Sequence, residues 1–122
     1  MILQEIKQEF SICKLQKDTD FSMFHYEYCF TSITDNELSL ICPTQFVPSN
    51  VIAIENEWSC FRIAEDAAFE KYGMIAFLTK LIAAEQTGVL VVATFDTDYL
   101  FIKKAKFERV KNTLIKNGCS FI

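Results

Sequence analysis

Asp96 and Asp98 stand two residues apart, flanked by Thr94 and Thr97, inside the stretch Val89 to Ile102. An Asp-x-Asp can offer oxygen ligands to a divalent cation. Two carboxylates can also serve as acid and base in glycoside cleavage. The third reading is a turn, because Asp side chains hydrogen-bond their own backbone. A cation shell gathers more carboxylates than this, and none lies nearby in sequence. A chain of 122 residues also leaves little room for a saccharide cleft. The turn is therefore carried forward, with no metal and no cofactor expected.

The thiols and the imidazole assemble into nothing catalytic. Cysteines lie at 13, 29, 42, 60 and 119, with no Cys-x-x-Cys, and His25 is the single histidine. Zinc sites need Cys/His pairs at close spacing. A cysteine nucleophile needs a base, and His25 falls in an alternating, strand-like segment. Three glycines cannot build a phosphate-cradling loop. The chain is read as having no catalytic residue and as not being an enzyme.

An odd count of scattered cysteines suggests buried, reduced thiols and a cytoplasmic protein. Glu5 and Lys7 come too early for a signal-peptide core. No apolar run approaches the ~18 residues of a membrane span, so no membrane is expected as a partner. The formal net charge of −4 argues against nucleic acid. Lys103, Lys104, Lys106, Arg109, Lys111 and Lys116 do cluster, and read as the solvated face of a helix.

Gly73 is the last candidate. It precedes a helix, where backbone N–H groups favour an anion, and a glycine lets a ligand come close to the backbone. A ligand carboxylate there, with a cationic group near Asp96 or Asp98, is a coherent amino-acid site. A loop-to-helix hinge explains the glycine equally well.

The elements that must position these residues follow from periodicity. Residues 10–15 predict a strand. Phe24, Tyr26, Tyr28 and Phe30 alternate with His25, Glu27, Cys29 and Thr31, which predicts a strand over 24–33 with an aromatic core face. Thr34-Asp35-Asn36 is a turn, and 37–42 the returning strand of a hairpin. Two apolar pieces follow, Val51–Ile54 and Trp58–Ile63, split by Glu55-Asn56-Glu57. Residues 64–72 read as a loop or loose turn.

Met74, Phe77, Leu78, Leu81 and Ile82 share one face of a helix, with Gly88 expected as its cap. The apolar, β-branched run from Val89 predicts a strand buried on both faces. A strand over 99–102 comes next. Phe107, Val110 and Leu114 then stripe a helix over about 104–117, capped by Gly118, and Cys119–Ile122 closes the chain. The second half thus reads β-α-β-β-α-β, the ferredoxin-like split βαβ of an α+β fold, with two helices on one face of a four-stranded antiparallel sheet. No internal sequence repeat is evident between the halves. Twelve Phe and 51% hydrophobic residues supply the core.

Several strings resemble one family. They are Phe61-Arg62-Ile63, Gly73-Met74-Ile75-Ala76-Phe77-Leu78 and, above all, Ala93-Thr94-Phe95-Asp96-Thr97-Asp98-Tyr99-Leu100. In the first half, Ser11 to Leu15 and Thr34 to Pro43 follow in the right order. The chain resembles ACT-domain proteins of the small tandem type, related to the ligand-binding modules of aspartate kinases and to cytosolic arginine sensors of animals. It departs from them in the bulkier, more acidic stretch Glu65 to Gly73.

The resemblance implies a strand-rich, shortened ACT-like lobe at 1–56 and an ACT domain at 57–122. It implies a non-catalytic regulatory protein holding an amino acid or similar small ligand between lobes. Gly73, Met74 and Ile75 correspond to the family's helix-start segment, and Thr94, Phe95 and Asp98 to its strand-end segment. Ser39 and Leu40 form the opposite wall. On this reading Asp98 pairs with a cationic group and Asp96 holds the turn. A homodimer is expected, since sheet edges in such modules pair. The alternative is an interaction or dimerisation module with a vestigial pocket.

Overall fold

The computed structural model describes residues 1–20, 22, 24–65 and 72–122. The elements are β1 (Ile2–Leu15), β2 (Phe30–Ile33), β3 (Leu38–Pro43), a 3-10 turn (Thr44–Phe46), β4 (Val51–Ile63), α1 (Met74–Ala84), β5 (Leu90–Ala93), β6 (Asp98–Lys103), α2 (Lys104–Lys116) and β7 (Ser120–Phe121). No helix among the described residues is long and apolar enough to cross a membrane. The chain divides into two compact units. Gln8–Glu57 form the N-terminal unit, and Met1–Lys7 with Trp58–Ile122 form the C-terminal unit. The second break of this partition falls between Glu57 and Trp58, and residues 1–7 group with the C-terminal unit.

In the C-terminal unit β6 is central, antiparallel to both β4 and β5. The first residues of β1 lie on the other side of β4, where the Ala64 N–H donates to the Ile2 carbonyl at 2.9 Å. β7 pairs with β1 in parallel through Ile2↔Ser120. This is the ferredoxin-like order with one change from the expected arrangement. The place beside β4 is filled by the start of the chain, and the closing strand lies one position further out.

Strand alternation turns Phe61, Ile63, Leu100 and Ile102 to one side. There they form one buried core with Leu3, with Leu78 and Ile82 of α1, and with Phe107, Val110 and Leu114 of α2. Burial of each such side chain contributes about 1.5–3 kcal/mol. Met74 and Leu81 pack against this core, but Phe77 turns outward and is 40% exposed. The apolar stripe of α1 is therefore narrower than the sequence spacing predicts.

The two helices end differently. After α2, Gly118 takes a left-handed φ of 98°. The Cys119 N–H reaches the Leu114 carbonyl at 3.0 Å and the Gly118 N–H reaches Ile115 at 3.1 Å, a Schellman cap. After α1 the left-handed residue is Gln86, φ 57°, and the expected cap Gly88 has no positive φ. The basic residues of α2 are partly engaged. Arg109 bridges to the Glu85 carboxylate at 3.0 Å and Lys111 to Glu5 at 3.2 Å.

The strand from Val89 is a second correction. β5 is an edge strand, with Leu90 36% and Val91 40% exposed. A continuous apolar run fits a strand buried on both faces and an exposed apolar edge equally well. Residues 66–71, most of the expected 64–72 loop, lie outside the described residues.

In the N-terminal unit β3 lies between β2 and β1 in antiparallel register. The Ser11 hydroxyl donates to Asn56 Oδ1 at 2.7 Å and lies 2.9 Å from Thr44 Oγ1, which satisfies a fully buried polar group. Cys13, Leu15, Leu38, Leu40 and Cys42 form the core. A thiol–thiol hydrogen bond donated to Cys13 and burial together push the Cys42 thiol far up. The strand expected over 24–33 covers only Phe30–Ile33. Tyr28 sits at φ 63°, a conformation that ends an extended run. The two pieces expected at 51–63 are one strand, with Glu57 at φ 67° marking the polar break.

The two units repeat one hairpin. In the first, the Thr34 N–H donates to the Glu37 carbonyl at 3.0 Å and Thr34 Oγ1 accepts the Glu37 N–H at 3.1 Å. In the second, Thr94 makes the same pair of bonds to Thr97, at 2.8 and 3.3 Å. The registers match as well, with Ile33↔Leu38 answering to Ala93↔Asp98.

Candidate functional site

The site begins at the turn between β5 and β6. Thr94 closes it, since its hydroxyl also donates to the Thr97 carbonyl at 2.8 Å. The turn is tied to β4 by Thr97, whose hydroxyl donates to the Ile63 carbonyl at 2.6 Å. Threonines thus hold a turn that the sequence assigns to aspartates.

Arg62 and Tyr99 are register partners and share the face opposite the helix-side core. The guanidinium donates to Gln4 Oε1 from Nε at 3.1 Å and Nη2 at 2.9 Å, and to the Tyr99 hydroxyl from Nη1 at 2.9 Å. Its carbon lies 5.8 Å from the Tyr99 ring centre. Such charge-assisted bonds fix the orientation of the fork.

These groups line a cavity of about 600 Å3, together with Glu65, Thr94, Asp96 and Thr97. The volume lies in the range of small-molecule sites. Carboxylates and a guanidinium therefore border one space. Among the described residues no group of three His, Cys, Asp or Glu is arranged to hold a metal ion.

The residues expected from sequence fall as follows. Thr94 lines the cavity, and Phe95, beside it, is 85% exposed. Asp96 lines it too, whereas Asp98 is half-buried at the start of β6 opposite Ala93 and is not a lining residue. Gly73 is the N-cap of α1 at φ 87°; among the described residues no side chain caps it and nothing lies within 4 Å of where a Cβ would stand. Its carbonyl accepts the Phe77 N–H at 2.9 Å. Met74 and Ile75 are partly buried and pack against the core, and neither lines the cavity. Ser39 and Leu40 belong to the N-terminal unit, where Leu40 is fully buried in the core.

Gln4, Arg62, Glu65 and Tyr99 line the cavity although the sequence pattern does not mark them as a site. Arg62 carried a signal, being a guanidinium inside an otherwise apolar strand. Gln4 carried none, because only the pairing of β1 with β4 brings it to Arg62.

The ACT domain model matches residues 53–116, more than half of the 122 residues, and the chain belongs to that family. Among curated proteins none matches the sequence. A structural-genomics target protein from Agobacterium tumefaciens is similar at a TM-score of 0.88 and 24% identity, over 99% of this chain and 91% of that one. A Vibrio cholerae protein of unknown function gives 0.70 at 16% identity, over 92% and 85%. The regulatory subunit of aspartate kinase from Thermus thermophilus, in its ligand-free form, gives 0.65 at 6% identity, over 89% and 92%. These likenesses show the fold.

Proposed function

We propose that this protein is a non-catalytic regulatory protein that binds an amino acid or a similar small zwitterion in its C-terminal unit. A regulatory, ligand-binding role in general is supported by membership of the ACT family and by likeness to an aspartate kinase regulatory subunit. The observation that carries the finer reading is the cavity in which Arg62 faces the same space as Asp96 and Glu65. A zwitterion needs both signs of charge around it, and this lining carries both.

The ligand's carboxylate lies in the positive field of Arg62, and its ammonium lies against Asp96 or Glu65. The uncapped N–H groups at Gly73, Met74 and Ile75 are the second anchor for an anion. Occupancy then bears on the Thr94–Thr97 turn, and through it on β5. Five free thiols fit a reducing, cytoplasmic compartment. The exposed apolar edge of β5 favours a homodimer made by strand pairing. The same edge favours the second reading, an interaction module whose cavity no longer serves.

Isothermal titration against the twenty amino acids separates the two. Saturable binding of one or a few is expected. Silence from all of them at millimolar concentration, with a dimer still present by light scattering, leaves the interaction module standing alone.

A further inference from the structure

The N-terminal unit holds a second cavity, of about 500 Å3, bordered by Phe24, His25, Tyr26, Gln45, Phe46 and Pro48. Its lining is built around a ladder of rings. Tyr26 and Phe46 stack with centroids 4.0 Å apart and planes 2° apart. His25 stacks on Tyr26 at 5.3 Å and 21°. The inner end of the ladder is anchored, since Phe46 packs against the buried cluster around Cys13 and Leu38. The outer end is open, with Tyr26 46% exposed and His25 exposed.

We propose that this cleft binds a planar, uncharged heteroaromatic ring that continues the stack. Three observations specify that chemistry. The rings present flat apolar faces already held parallel, so a flat ligand adds a layer without reorganising them. None of the described lining residues is Asp, Glu, Lys or Arg, so they bring no charged side chain to pair with a phosphate or a carboxylate. The polar groups that remain suit the edge of a ring. Gln45 supplies a carboxamide donor and acceptor. His25 Nδ1 lies 2.9 Å from the Ser22 carbonyl, which makes it the donor and leaves Nε2 as an acceptor in the neutral ring. A nucleoside base and an indole both meet this description. The cleft stands apart from the amino-acid reading and does not depend on it.

Saturation-transfer NMR on the full chain, with adenosine and with indole as probes, tests the proposal. Transfer to the ring protons of at least one probe is expected, with adenosine monophosphate binding no better than adenosine. Binding of adenosine alone assigns the cleft to nucleosides, of indole alone to indole-type rings, and of both to flat rings in general. His25→Gln and Tyr26→Leu each lower the affinity by about tenfold, as loss of one ring stack does. If Tyr26→Leu fails to fold, the exposed His25→Gln decides alone. Absence of transfer to either probe at millimolar concentration overturns the proposal. So does affinity that His25→Gln leaves unchanged.

Discussion

The hydroxyl of Thr97 donates to the carbonyl of Ile63 at 2.6 Å, so the turn that borders the cavity is fastened to the last residue of β4. Replacing Thr97 by Val keeps the branched shape and removes the donor. A loss of about 1–2 kcal/mol is expected, because the Ile63 carbonyl is left without this partner. Thr97→Ser retains most of the stability. Urea unfolding with an unchanged m-value reads the difference.

Asp96 and Asp98 part company in the structure, since only Asp96 lines the cavity. On the zwitterion reading, Asp96→Asn weakens amino-acid binding by about tenfold, the loss of one charge-assisted contact. Asp98→Asn leaves it within about twofold. Thermal-shift titrations against the ligand found by calorimetry distinguish them. The reverse ranking returns the cationic partner to Asp98.

How much of this was legible from sequence can be judged at particular residues. The helices and the β5–β6 hairpin follow from local spacing, and the stripe Phe107, Val110, Leu114 is buried as its period demands. The aromatic alternation from Phe24 to Phe30 misled, because Tyr28 adopts a left-handed φ that no alternation pattern encodes. The repeated hairpin stayed hidden because backbone register and a threonine hydroxyl carry it. Ile33 and Leu38 in one unit answer to Ala93 and Asp98 in the other, and Leu38 and Asp98 share no chemistry. The cavity was half legible. Thr94 and Asp96 stand in the conspicuous turn, but Gln4 reaches Arg62 only through a pairing of strands far apart in sequence.

Leu78 and Phe77 are neighbours on α1 with opposite surroundings. Leu78 is fully buried and Phe77 is 40% exposed. Leu78→Ala should cost about 2–5 kcal/mol through the cavity it leaves. Phe77→Ser should cost well under that, within about 1 kcal/mol, as surface changes do. Chemical denaturation of the two variants side by side checks the contrast.

The buried thiols give the stability a slope on the alkaline side. Burial pushes the Cys60 and Cys119 thiols up, whereas in the Cys13–Cys42 pair the shared hydrogen bond raises Cys42 and lowers Cys13, so those two oppose each other. A thiol raised in the folded state keeps its proton when its unfolded counterpart has lost it. The contribution is therefore complete below the unfolded value of about 8.5 and is lost as pH rises beyond it. The free energy of unfolding should fall between pH 8 and 10, by up to about 1.4 kcal/mol per pH unit for each thiol. Cys60→Ala should flatten that slope, measured by urea titrations at several pH values.

The strand that sits beside β4 in the C-terminal unit comes from residues 1–7, and this orders events during synthesis. Those residues leave the ribosome ahead of the N-terminal unit, yet their partners at Arg62 and Ala64 emerge only after it. The opening segment must wait, unpaired, while some fifty residues are added behind it. A fragment cut at residue 57 would carry both helices and the turn but lack that strand. It would expose the flank of β4, deprive β7 of its neighbour and lose Gln4 from the cavity. The C-terminal half of this polypeptide is thus contiguous in space without being separable by scissors.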